Sequence, residues 1–340
     1  MNKKNIIFIV ILIAVCLVLS LSLYSIKLNK DTSCNEKDNI IVDSNQNAIS
    51  FDVSDFSGTE INTIDIPSKV YDTNVISIRD TNFTISEELS NKIYDAINSY
   101  GASSSFYVVS LKDGMSFGYN VDKQYETASC IKAPYALYIY QEIAKGNING
   151  EQKLTYESRF YNKGTGVIKN SPFGTQYTIK ELVYYSLYES DNVAHTMLHR
   201  TFGVKGYNQM LTNLRTNAQK LTVSNPWGFT TVRSSAIIWQ EIYNFAIRDD
   251  EGIDFLNILS NGKYNYYKQV MPSLPSASKS GFANRDVIET GIVFDDYPYI
   301  LIAVANKGGN LGAYTQVLKL ISLINEVMNE YKVYNQNQGV

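Results

Sequence analysis

An α+β fold follows from the order in which two hydrophobic periods alternate along the chain. A helical stretch and two strands come first, helices fill the middle, and three strands and a helix close the sequence. That order predicts one sheet assembled from both chain ends, flanked by helices, with an all-helical domain inserted between its halves. A further observation lies at the amino terminus, where residues 6–24 are uncharged and mostly apolar, about the 20 needed for a helix to span a bilayer.

Taken in order, Met1-Asn2-Lys3-Lys4-Asn5 and the run over residues 6–24 read as a cytoplasmic tip and a transmembrane anchor. The two lysines keep the amino end in the cytoplasm. No small-x-small cleavage site follows, so the run is expected to stay as a signal-anchor, and Val15 before Cys16 argues against lipid attachment. The expected location is therefore the cell membrane, single-pass, with the catalytic part extracytoplasmic. Residues 25–81 are polar, rich in Asn, Asp, Ser and Thr, and read as a stalk. Residues 82–335 are the predicted folded domain and 336–340 a tail.

Within the domain, Leu89, Ile93, Ala96 and Ile97 recur at helical spacing over residues 86–100, started by Ser86 with Glu87 and Glu88. Strands are predicted over 105–111 and 115–119, joined by the turn Lys112-Asp113-Gly114. Residues 131–267 are dominated by helical periods. Strands return at 278–282, 287–294 and 299–305, the last two joined by Asp295-Asp296-Tyr297-Pro298. A closing helix over 315–331 carries Val317, Leu318, Leu320, Ile321, Ile324 and Val327 on its apolar side.

A formal charge of −3 and the lack of a basic stripe give no case for nucleic acid. The three cysteines fall in the anchor (Cys16), the stalk (Cys34) and a motif (Cys130), so no disulfide framework is predicted. Cys130 reads as a small packing residue. His195 and His199 are four apart, but Thr196 stands where a zinc protease motif has Glu and no third ligand is near, so they read as helix residues and no metal is implied. Most of the 26 tyrosines, including Tyr184, Tyr185 and Tyr188, are assigned to packing.

Three short motifs carry chemistry: Ser129-Cys130-Ile131-Lys132, Ser190-Asp191-Asn192 and Lys279-Ser280-Gly281. The first alone is the pattern of many ordinary helix starts, with Thr127 and Ser129 suited to capping and Pro134 to a first turn. Three residues apart on a helix, Ser129 and Lys132 share a face. A serine hydroxyl needs a base in hydrogen-bond reach, and a lysine desolvated and crowded by a second cation, Lys279, is pushed toward its neutral form.

In this order the three motifs resemble those of class A β-lactamases and penicillin-binding proteins. The likeness runs from about residue 82 onward. It takes in Tyr125-Glu126-Thr127-Ala128 before Ser129, Ala133-Pro134-Tyr135 after Lys132, Gly164-Thr165-Gly166-Val167-Ile168, the stretch 177–182, and Thr230-Thr231. The resemblance implies an antiparallel sheet with the inserted helical domain, and a nucleophile helix facing the Lys279 strand across a cleft. It implies Ser129 as nucleophile, Lys132 as base and Ser190 as proton relay. Lys279 and Ser280 would face a substrate carboxylate, and Asn192 would hold a substrate carbonyl and Lys132. Gly281 would let another backbone approach, and the backbone N–H groups of Ser129 and Phe282 would form an oxyanion hole. No cofactor is implied, and the substrate would be a β-lactam or a D-Ala-D-Ala-like peptidoglycan peptide.

One departure stands out. Class A β-lactamases hold a deacylating glutamate in an omega loop, within E-x-x-L-N, whereas residues 192–240 here contain neither Asp nor Glu. The sequence therefore predicts an acyl-enzyme that forms on Ser129 and clears slowly. Two alternatives stay open: a cell-wall D,D-peptidase, and a module that is acylated and reports β-lactam or muropeptide.

Overall fold

Six strands build one antiparallel sheet in the order β1-β3-β2-β10-β9-β8. They are β1 (Ser77–Arg79), β2 (Ser103–Ser110), β3 (Ser116–Tyr119), β8 (Ser276–Phe282), β9 (Asp286–Val293) and β10 (Tyr299–Asn306). The computed structural model describes residues 48–56, 64–99, 103–216, 218–283, 286–306 and 310–339. The first and last thirds of the chain meet where β2 pairs with β10, Tyr107 opposite Ile302 and Val109 opposite Ile300. Strand β8 lies at the edge, with Lys279 opposite Thr290, Ser280 opposite Glu289 and Gly281 opposite Ile288.

Alternate residues of each strand point to opposite faces, and both faces are covered, which is why β10 reads as an almost unbroken apolar run. On one face Phe106, Val108, Leu301 and Ala303 pack against α1 (Glu87–Asn98) and α9 (Asn310–Gln338) through Ile93, Val317, Ile321 and Ile324. On the other, Tyr107, Val109, Ile300 and Ile302 meet the helical part. Full burial of one such side chain contributes about 1.5–3 kcal/mol, so the two layers fix the sheet firmly.

The helical part comprises α2 (Lys132–Ala144), α3 (Ile179–Tyr188), α4 (Asn192–Phe202), α5 (Lys205–Asn213), α6 (Val232–Arg248) and α7 (Asp250–Ser260), whereas the short α8 (Tyr266–Val270) joins α1 and α9 on the first face through Tyr266 and Tyr267. Thr178 and Glu181 form a reciprocal capping box that starts α3. Asp191 caps α4, its Oδ1 accepting from the N–H of Ala194 at 2.9 Å. Two small strand pairs interrupt these helices: β4 (Tyr125–Glu126) with β7 (Phe229–Thr230), and β5 (Lys153–Thr155) with β6 (Gln176–Thr178). At two or three residues they are too short to show a period of two in the sequence. Tyr184 and Tyr188 stack on α3 with centroids 5.1 Å apart, Tyr184 remaining exposed.

Two boundaries differ from expectation. The described residues before 82, from Ala48 on, belong to the same compact unit as the rest of the domain. Phe56 and Ile66 are buried in the core, β1 joins the sheet, and Tyr71 Oη lies 2.7 Å from Tyr107 Oη. Arg233 donates to the carbonyls of Ile66, at 3.0 Å, and Lys69. These anchors are single apolar or aromatic residues separated by polar ones, a pattern without a period, which is why the segment reads as a stalk. The closing helix also runs to Gln338 and takes most of the expected tail with it. The transmembrane segment expected over residues 6–24 lies outside the described residues, and among the described residues no helix is long and apolar enough to cross a membrane.

Candidate active site

A tight 3₁₀ turn, Ala128–Ile131, leads into α2 and carries Ser129. Ala128 sits at φ 46°, a left-handed conformation that a residue with a Cβ adopts only when its surroundings enforce it. Here Thr127 is buried and its N–H donates to the carbonyl of Gly228 at 3.3 Å, so the turn is held from behind. Lys132, at the first position of α2, reaches back so that its Nζ donates to Ser129 Oγ at 3.0 Å.

The same amine donates to Asn192 Oδ1 at 2.6 Å, to Ser190 Oγ at 3.2 Å and to the carbonyl of Ser190. Lys279 Nζ donates to Ser190 Oγ at 3.0 Å. The Ser190 hydroxyl therefore bridges two lysines, both buried, at 0% and 2% exposure. Burial first, and the Lys279 charge second, push Lys132 well below the ordinary lysine range. Burial brings Lys279 down to about 8. Among the described residues neither amine forms a salt bridge with a carboxylate.

The supporting loop is fixed by Asp191, fully buried, whose Oδ2 accepts from the N–H groups of Val167 at 2.6 Å and Ile168 at 2.8 Å. Ser190 stands at φ 54°, which turns its hydroxyl from the end of α3 toward the lysines. The loop comes so close that a Cβ on Gly164 would lie 2.1 Å from Asn192 Nδ2, and one on Gly166 2.2 Å from Asp191 Oδ2.

On β8, Lys279 and Gly281 face the turn. A Cβ on Gly281 would lie 2.7 Å from the Thr127 carbonyl and 2.8 Å from Cys130 Sγ, so only glycine permits this approach. Cys130 Sγ in turn donates to the Lys279 carbonyl at 3.1 Å; burial pushes its thiol up to about 12, the state of an inert packing residue. The Ser280 side chain is turned away from the amines, and only the residue's carbonyl accepts from Lys279 Nζ, at 3.3 Å. The side chain points to the opposite face of the strand, where its hydroxyl donates to the carbonyl of Tyr264 at 3.2 Å. Phe282 ends the strand with its ring half exposed.

Two residues escaped the sequence reading. Trp227 lies with its ring centroid 5.5 Å from Lys132 Nζ, within the segment 192–240 that has no Asp or Glu. An isolated Trp in a Pro- and Gly-containing loop carries no signal of that position. Glu289, buried opposite Ser280, accepts from the N–H of Tyr266 at 3.2 Å, and burial raises its carboxyl to about 8. It had a signal: a carboxylate in the middle of the mostly apolar run over residues 287–294. His195 and His199 are buried helix residues on α4, and burial lowers His195 to about 3. Among the described residues no three His, Cys, Asp or Glu side chains gather as metal ligands would.

The sequence profile of the beta-lactamase enzyme family matches residues 88–331. The β-lactamase VEB-1 of Pseudomonas aeruginosa is 33% identical over 86 residues, 25% of this chain and 29% of that protein. The β-lactamase regulatory protein BlaB of Streptomyces cacaoi is 29% identical over 114 residues, 33% of this chain and 36% of that one. The chain thus spans about a third of the length of these curated relatives. Among solved structures, PBP-A superposes with a TM-score of 0.65 at 17% identity, covering 72% of this chain and 97% of that one. A PBP-A variant solved as an acyl-enzyme complex with penicillin G matches at 0.65 and 16%, covering 71% and 96%. A β-lactamase from Sphaerobacter thermophilus matches at 0.62 and 17%, covering 69% and 94%. At these identities the structures establish a shared fold.

Proposed function

Because the chain belongs to the beta-lactamase enzyme family, we propose that it is a serine acyl-enzyme hydrolase that opens β-lactams or D-Ala-D-Ala-like peptides through Ser129. The observation that carries this is the contact chain Ser129 Oγ, Lys132 Nζ, Ser190 Oγ, Lys279 Nζ, each link 3.0 to 3.2 Å. In the proposed reaction neutral Lys132 takes the proton of Ser129 Oγ as the oxygen attacks the amide carbonyl carbon. The carbonyl oxygen gains negative charge and is held by the backbone N–H groups of Ser129 and Phe282. The C–N bond then breaks and the leaving nitrogen receives the proton through the Ser190 hydroxyl, leaving an ester on Ser129 and neutral Lys132. Asn192 orients Lys132 with its oxygen and has its amide nitrogen for the substrate carbonyl. Lys279, rather than the averted Ser280 side chain, is proposed to attract the substrate carboxylate.

Deacylation is proposed to be slow. Water attacking the ester needs an aligned base, and losing one costs about 10²- to 10⁴-fold; residues 192–240 supply no carboxylate. The segment over residues 6–24 is proposed to hold the domain at the outer face of the cell membrane. A second reading, that the domain is acylated and stays so as a sensor, is supported by the likeness to the regulatory protein BlaB. The proposal is tested with a fluorescent penicillin: wild type takes the label covalently and Ser129→Ala does not. Equal labelling of both would place the nucleophile elsewhere.

A further inference from the structure

Four groups hold the Lys132 amine by hydrogen bonds: Ser129 Oγ, the carbonyl and hydroxyl of Ser190, and Asn192 Oδ1. The Trp227 ring covers a further side, with Lys132 Nζ 5.5 Å from its centroid. The Trp227 backbone is held on both sides: its carbonyl accepts from the Thr127 hydroxyl, two residues before Ser129, and its backbone N–H donates to Asn225 Oδ1 at 3.0 Å. Its ring packs on His195, centroids 5.2 Å apart, and His195 Nε2 is bonded to the carbonyl of Pro226 at 3.0 Å. The β4–β7 pairing, Tyr125 with Thr230 and Glu126 with Phe229, ties the loop to the strand that leads into the nucleophile turn. These contacts tie the loop to the segment that leads into Ser129.

Hydrolysis of an ester on Ser129 requires water oxygen to add to the acyl carbon, the bond to Ser129 Oγ to break, and one water proton to return to that oxygen. A water placed for this beside Lys132 needs room and an acceptor. The indole offers neither: its faces are apolar and its one polar group is a donor, not an acceptor.

We propose that Trp227 is a shield over Lys132 that excludes hydrolytic water and so sets the lifetime of the acyl-enzyme. This rests on the acyl-enzyme reading above and adds a positive cause to the missing carboxylate: slow release is built in by a residue, and removing the residue releases it.

The test uses the full chain as wild type, Trp227→Ala, Trp227→Phe and Trp227→His, with benzylpenicillin followed by intact-protein mass spectrometry. The rise of the adduct gives acylation, and its decay after excess penicillin is removed gives deacylation. Expected are a deacylation rate raised about tenfold or more in Trp227→Ala and Trp227→His, with acylation within about threefold of wild type, and near wild-type decay in Trp227→Phe. Should Trp227→Ala fail to fold, the His and Phe variants carry the comparison. Decay in Trp227→His within about twofold of wild type, or a rise in Trp227→Phe as large as in the others, overturns the shield. No adduct on wild type would instead overturn the acyl-enzyme reading, and the shield with it.

Discussion

Lys132 and Lys279 are two buried amines on either side of one hydroxyl, and their titrations decide when the site can act. The proposed base is Lys132 in its neutral form, so acylation rises with pH as that amine loses its proton, well below the ordinary lysine range because burial and Lys279 disfavour its charge. The group proposed to attract the substrate carboxylate is Lys279 in its charged form, which burial limits to pH values below about 8. The acylation rate constant should therefore rise as Lys132 loses its proton, well below the ordinary lysine range, and fall near pH 8 as Lys279 loses its charge; stopped-flow acylation across pH measures it. A rate still climbing at about pH 10 would mean that Lys132 titrates as an ordinary lysine. At this scale Ser129, Lys132, Ser190, Asn192 and Lys279 were legible because their spacing is the motif. The turn of the Ser280 side chain toward Tyr264 was not legible from its motif read as a unit, although neighbours on a strand point to opposite faces. Trp227 was not legible, since its position depends on where a loop folds back.

Among the elements, the edge strand β8 and the turn Ala128–Ile131 have to touch for the site to exist, and Gly281 is what lets them. Gly281→Val would place a side chain against Thr127 and Cys130, and the strand would have to move away from the nucleophile. The expected cost is on the order of 1–3 kcal/mol of stability, with penicillin labelling lost or slowed by about 10²-fold. Chemical denaturation and labelling rates check both; unchanged labelling would show that the contact does not position the site. The strands and long helices of the domain were legible from their periods, including β10, whose unbroken apolar run reflects cover on both faces. The pairs β4–β7 and β5–β6 were hidden by their length.

For the whole molecule, the assembly of one sheet from both chain ends was legible in the order of patterns, while the inclusion of the described residues before 82 was not. A chain truncated to begin at residue 82 would lose the buried Ile66, the Tyr71 contact with Tyr107, two carbonyl partners of Arg233 and strand β1. It is expected to be less stable than one beginning at Ala48 by about 3 kcal/mol or more, and thermal unfolding of the two measures the difference. Equal midpoints would mean that residues 48–81 add nothing to the fold. The central claim spans all three scales: a nucleophile that acylates readily and a site that does not clear the ester. Rapid-mixing kinetics with a chromogenic β-lactam test it most directly. A burst of about one equivalent per protein followed by slow steady release is the expected result; many turnovers per second without a burst or an accumulated adduct would contradict it.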